Sequence, residues 1–244
     1  MKLAVRYVPL LLLALAWEAA ARLELSDALP APSAVLVAWA RLARDGELVA
    51  NGLPSLYRAG TGLILAIALG SPLGVVMAWW RPLHALLSPL LELSYPVPKS
   101  ALVPLTAFWL GFGNASKVLA IFLGGTLPVV LGAFNGARSS DRALVWSARS
   151  MGASRVRTLW DVVVPCALPE LLAGIRIALA LSFVLLLTTE LYAAQSGLGY
   201  LISFLGDEGA YDAMFAVVLT VAFLGFVADR LFLRLTRRLL RWRE

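Results

Sequence analysis

A chain of 244 residues that is 60% hydrophobic and 15% charged, with a mean hydropathy of +0.82, carries more apolar surface than a soluble fold of that length buries. The net charge of +6 would suit nucleic acid in a soluble chain, but the arginines gather in one central loop and at the C-terminal end, as membrane flanks do, so membrane lipid is the expected partner and nucleic acid is not. One cysteine, Cys166, excludes an intramolecular disulfide, and one histidine, His84, leaves no His/Cys cluster for zinc or another metal.

Six stretches reach the roughly 20 residues needed to cross about 30 Å of hydrocarbon at about 1.5 Å per residue. They are residues 4–21, 57–80, 86–110, 116–136, 167–190 and 212–234, which predicts an all-α integral membrane fold in one transmembrane domain, 1–244. Lys2 and Arg6, the apolar run from Val8 to Trp17 and Ala19-Ala20-Ala21 also fit a cleavable signal peptide. Retention agrees better with charge: six spans put Lys2 and Arg6 on the side of the Arg138 to Arg157 loop and the Arg234 to Arg243 tail, so both ends are expected in the cytoplasm. The segment after the first span mixes Arg22, Arg41, Arg44 and Arg58 with Glu24, Asp27, Asp45 and Glu47. It contains Pro30 and Pro32 and a short surface helix predicted over Leu36 to Leu42.

Pro96, Pro98 and Pro104 interrupt the third span and Pro128 the fourth. Broken helices at membrane depth need protein or a water-filled cavity around them, so a pathway is expected there, although kinks also serve purely structural helices. Glu92, Lys99, Arg176, Glu190 and Asp229 lie in or near the apolar spans, where a charge costs about 2.5–3.5 kcal/mol to insert, so each should face the interior, pair or snorkel. Lys99 after Pro98 is a candidate pathway charge; pairing with Glu92 or Glu190 is the alternative.

The long polar interruption from Arg138 to Pro165 reads as two amphipathic helices. Asp141 caps the first, Leu144, Val145, Ala148 and Met151 share a face, and Gly152 supplies a left-handed stop before Ala153. Ser154 caps the second, in which Val156, Leu159, Trp160, Val163 and Val164 form a stripe opposite Arg155, Arg157, Thr158 and Asp161, and Pro165 ends the helix. The stripe suits either lipid headgroups or a docking protein.

Catalytic patterns are missing where they can be checked. Gly111 to Lys117 has Ser116 where a phosphate loop needs glycine and Val118 where it needs a hydroxyl; Gly197-Leu198-Gly199 is too short for a dinucleotide site. A membrane enzyme would need a paired nucleophile and base, which a sole His84 does not supply. A secondary transporter or channel also has broken helices, but the six spans lack an evident internal repeat and the loop helices would have no gating role.

The loop resembles that of permease subunits of binding-protein-dependent ATP-binding-cassette (ABC) importers, which read Glu-Ala-Ala, three residues, Gly, nine residues, then Ile-x-Leu-Pro. Ala148, Gly152, Val162, Val164 and Pro165 keep the spacing, whereas Trp146 and Ser147 replace the usual Glu and Ala. Trp17-Glu18, Leu29 to Ser33, Pro96-Val97-Pro98, Leu102 to Leu105, Phe108 to Gly111, Glu190 and Ser196 to Tyr200 further resemble the branch for nitrate, sulfonates, taurine, bicarbonate and heterocyclic vitamin precursors. The resemblance implies a type I ABC importer permease bundle in the bacterial inner membrane, working as a homodimer with two ATPase subunits and a periplasmic or lipid-anchored binding protein. ATP and magnesium would sit on the ATPases and no cofactor on this chain. A cytoplasmic coupling helix in the 138–165 loop would meet the ATPase through Ala148, Gly152, Ala153, Ser154, Val156, Leu159, Trp160 and Val163. Lys99, Pro98 and Glu190 would be the residues to consider along the pathway.

Overall fold

The computed structural model describes residues 2–23 and 28–243. Glu24 and Asp27 lie outside the described residues, as do the side chains of Lys2, Arg6 and Arg243. Helices α1 (Lys2–Arg22), α2 (Pro32–Arg44), α3 (Glu47–Trp79) and α4 (Arg81–Ser94) are followed by a 3₁₀ turn (Lys99–Ala101), α5 (Leu102–Leu110) and α6 (Asn114–Arg138). Then come α7 (Arg142–Ser150), α8 (Arg155–Thr158), a π turn (Leu159–Val163), α9 (Val164–Ala193), α10 (Leu198–Asp207) and α11 (Tyr211–Leu239). Among the described residues four runs are long and apolar enough to cross a membrane: Glu47–Trp79, Asn114–Arg138, Arg155–Tyr192 and Tyr211–Leu239.

The chain divides into two compact units, one of residues 1–55 and 190–224, the other of residues 56–189 and 225–244. In the first, Glu18 accepts from the Ser33 backbone N–H (3.1 Å) and hydroxyl (2.9 Å), so a carboxylate from α1 satisfies an orphan donor at the start of α2. Trp39 Nε1 donates to Thr220 Oγ1 at 3.1 Å, and Arg41 pairs with Asp212 at 3.5 Å. The short helix expected at the surface is therefore longer and half-sunk: Val35, Ala38 and Leu42 are buried while Leu36 and Val37 are exposed.

In the second unit α3, α6 and α9 pack backbone to backbone. A Cβ at Gly132 would stand 2.7 Å from the Glu170 carbonyl, and one at Gly174 would collide with the Pro128 carbonyl. Small residues are the usual means by which helices approach closely where no water drives them together. That packing bears on Pro128, which does not interrupt the fourth span: α6 runs through it without a break, its flank pressed against α9. The third span, by contrast, is not one helix. Its backbone leaves α4 after Ser94 and resumes through the 3₁₀ turn, while Pro104 sits in the first turn of α5, where a missing N–H costs little.

Two intramembrane charges pair as expected, Arg176 donating to both carboxylate oxygens of Asp229 at 2.7 and 3.2 Å. Arg58 is not a flanking loop charge: it lies in α3, buried, with Nε donating to Asn114 Oδ1 at 2.8 Å.

Candidate functional site

The loop between α6 and α9 is built from local capping. Asp141 Oδ1 accepts from the Ala143 N–H at 2.8 Å and starts α7. At the other end the Gly152 N–H donates to the Arg149 carbonyl (2.9 Å) and the Ala153 N–H to the Ala148 carbonyl (3.1 Å), with Gly152 at φ 86°. This is a full Schellman stop, and it gives the Ala148-to-Gly152 spacing a physical meaning: one residue supplies the carbonyl and the other the left-handed turn. Ser154 Oγ then accepts from the Arg157 N–H at 3.2 Å and begins α8.

Pro165 does not end the second helix. It cannot donate to the Asp161 carbonyl, and the chain widens there into a π turn in which the Val164 N–H reaches back to the Leu159 carbonyl, then continues as α9. Relative to a regular helix, the wide turn rotates the start of α9 by most of the roughly 100° that one residue spans. The predicted stripe is split as a result. Val163 is buried and Leu159 half-buried against Ala137, Ala167, Trp79 and Val145. Val156 and Trp160 expose 66% and 65% of their surface. Thr158, assigned to the polar side, is buried instead, its hydroxyl donating to the Ser154 carbonyl at 2.9 Å. Arg155, Arg157 and Asp161 do face outward, the last two as an ion pair at 3.2 Å.

Other large apolar side chains of the loop are exposed as well: Trp146 (67%) and Met151 (79%), with Leu144, while Ala148 and Ala153 are half-buried and Gly152 and Ser154 exposed. Trp146 reads in the sequence only as a departure from a motif; its size at an exposed helical position was the signal available.

Lys99 is half-buried beside exposed Pro98 and does not pair with Glu92, which is exposed. Its ammonium donates to the carbonyls of Ser94 and Val97, the latter at 3.1 Å, and so ties down the broken end of α4. Lys117 does the same for the α5–α6 turn, donating to the Phe112 and Gly113 carbonyls at 2.6 and 3.2 Å. Lys99 also lines two cavities, of about 250 Å³ with Ser94, Leu123 and Thr126, and about 350 Å³ with Tyr95, Asn135 and Glu170.

Glu190 is 1% exposed. Its carboxylate accepts from the Ser55 hydroxyl at 2.9 and 2.8 Å and from the Gly199 N–H at 2.9 Å. Asn51 Oδ1 accepts from the Gly197 N–H at 3.0 Å and Ser55 Oγ from the Leu198 N–H at 2.8 Å. Three polar side chains thus take up the orphan donors at the start of α10. Asn51 and Ser55 carry no sequence signal for this role, because Ser55 stands 135 residues from Glu190. His84 stacks on Phe134, with ring centroids 4.9 Å apart.

Comparison with known proteins places these features in a wider group. The family described as "Binding-protein-dependent transport system inner membrane component" matches residues 70–241. The taurine transport system permease protein TauC of Escherichia coli (strain K12) is 35% identical over 233 residues, 93% of this chain and 85% of that protein. The putative aliphatic sulfonates transport permease protein SsuC of Bacillus subtilis (strain 168) is 33% identical over 216 residues, 88% of this chain and 78% of that protein. Among solved structures, the MetNI methionine ABC transporter in an inward facing conformation superposes with a TM-score of 0.68 at 20% identity, covering 81% of this chain and 98% of that one.

Proposed function

We propose, for a chain that belongs to the family of binding-protein-dependent transport system inner membrane components and is a permease subunit of an ABC importer, that its cargo is a small organic anion of the sulfonate class. Two relatives named as taurine and putative aliphatic sulfonates transport permease proteins support that cargo.

The coupling assignment rests on one observation: the α7–α8 loop is fixed from inside by Leu159 and Val163 yet turns Trp146, Met151, Val156 and Trp160 outward. An aromatic-rich patch of that kind has the make-up of an interface anchor. In this reading it docks on an ATPase subunit that carries ATP and magnesium, and closure of two such ATPases swings the loops of two permease copies. A binding protein delivers cargo from the periplasm. α1 and the interrupted α4–α5 segment bring the crossings to six, and the arginines of the central loop and of α11 lie on the cytoplasmic side, with both ends of the single permease domain. Lys99 and Pro98 border the pathway, whereas Glu190, the other pathway candidate of the sequence, holds the start of α10.

The test is co-purification from native membranes. Wild type is expected to bring down an ATPase, and Trp160→Asp to recover at least about tenfold less while remaining monodisperse, as loss of an aromatic hot spot of at least about 1.4 kcal/mol requires. Equal recovery sinks the docking assignment. For the pathway, Lys99→Gln is expected to lower the rate of sulfonate uptake in proteoliposomes; unchanged affinity and rate remove Lys99 from it.

A further inference from the structure

A cavity of about 610 Å³ opens between the α3–α4 corner, the end of α6 and the start of α7. Arg81, Arg138 and Arg142 line it together with His84, and no acidic side chain is among its described lining residues. Asp141, the neighbouring carboxylate in sequence, is engaged in capping α7. Phe134 organises one wall: His84 stacks on the ring, and the Arg138 guanidinium lies over it at 5.5 Å from the centroid. The floor is apolar, formed by Ala137, Val145 and Val163 of the cluster that seats the coupling loop.

We propose that this cavity binds a phosphate-bearing ligand. Three exposed arginine side chains border this one space, and guanidinium groups make paired, charge-assisted hydrogen bonds with the oxygens of a phosphate group. The volume falls in the range of small-molecule sites, and exceeds what a bare inorganic ion fills. The apolar floor suits the carbon portion of such a ligand, whether the glycerol backbone of an anionic phospholipid or a soluble organic phosphate. Bound there, it ties the α3–α4 corner to Val145 and Val163, hence to the inner side of the helices whose outer side carries Trp146 and Trp160. This site stands on the cavity alone and is independent of the ATPase assignment.

The test uses the purified full-length chain, a cavity variant (Arg81→Gln, Arg138→Gln, Arg142→Gln) and a charge-matched control on α11 (Arg234→Gln, Arg237→Gln, Arg238→Gln). Native mass spectrometry counts bound phosphatidylglycerol and phosphatidylcholine, and thermal unfolding is followed with and without glycerol 3-phosphate. Wild type and control are expected to hold phosphatidylglycerol about tenfold more strongly than the cavity variant, with no such difference for phosphatidylcholine. A thermal shift by glycerol 3-phosphate that the cavity variant alone lacks also supports the site and assigns it a cytosolic ligand. Arg138→Gln alone replaces the triple variant if that one fails to fold. Equal binding and equal shifts in wild type and cavity variant, or an equal loss in the control, overturn the proposal.

Discussion

The α6–α9 loop and the turn that opens α10 both pass through a glycine of positive φ, Gly152 at 86° and Gly197 at 120°, and both satisfy orphan helix ends with side-chain oxygens. They differ in what surrounds the glycine. A Cβ at Gly152 would meet nothing within 4 Å, whereas one at Gly197 would collide with the Glu190 carboxylate. The first turn closes on its own backbone and leaves large apolar side chains outside. The second is completed by residues from α3 and α9 and leaves no polar group of its cap facing out. A surface open to a partner and a joint closed within the chain can thus share one local grammar; the difference lies in where the capping groups come from in the sequence.

The severest challenge to this contrast is Gly197→Ala, which adds both a strained φ and a collision with the buried Glu190 side chain. About 3 kcal/mol or more of stability should be lost, read as a lower unfolding temperature of the purified protein. A wild-type melting curve would show that the α10 cap is not a closed joint. Glu190→Gln should cost about 2 kcal/mol: one amide oxygen must then take both the Ser55 hydroxyl and the Gly199 N–H, while the amide nitrogen replaces the second oxygen that faces the Ser55 hydroxyl at 2.9 Å. The same melting assay reads it, and Ser55→Ala should not add a full further loss if the two act as one unit. Gly152→Ala is the smallest change, about 1–2 kcal/mol from the left-handed conformation alone. Because nothing packs on that position, the unfolding temperature should fall by only a few degrees, while amide exchange at Ala148 to Ser154 should accelerate. A large global loss there would mean that the loop is as closed as the α10 joint.

Much of the loop was legible in advance because capping is short-range. Asp141, Gly152 and Ser154 act on groups two to five residues away, and spacing alone locates them. The direction of the stripe was not legible. Spacing of 3.6 residues places Val156, Trp160 and Val163 together only in an unbroken α-helix, and the π turn at Pro165 rotates one half against the other. Proline itself reads ambiguously: Pro96 and Pro98 lie where the chain does break, whereas Pro128 is carried inside a helix held by its neighbours. Lys99 was recognisable as an unusual charge, but its partners turned out to be carbonyls, which no residue letter announces.

The class of molecule, the helical content and the caps of the central loop were readable from the residues alone, because hydropathy and capping depend on groups a few positions apart. The motif wording also carried the family. Tertiary structure decided which loop side chains face outward, why Glu190 is buried and which arginines share a cavity. Those outcomes depend on groups far apart in the chain, as with Ser55 and Glu190 at a separation of 135 residues, and on small rotations of a helix that leave no mark on its composition.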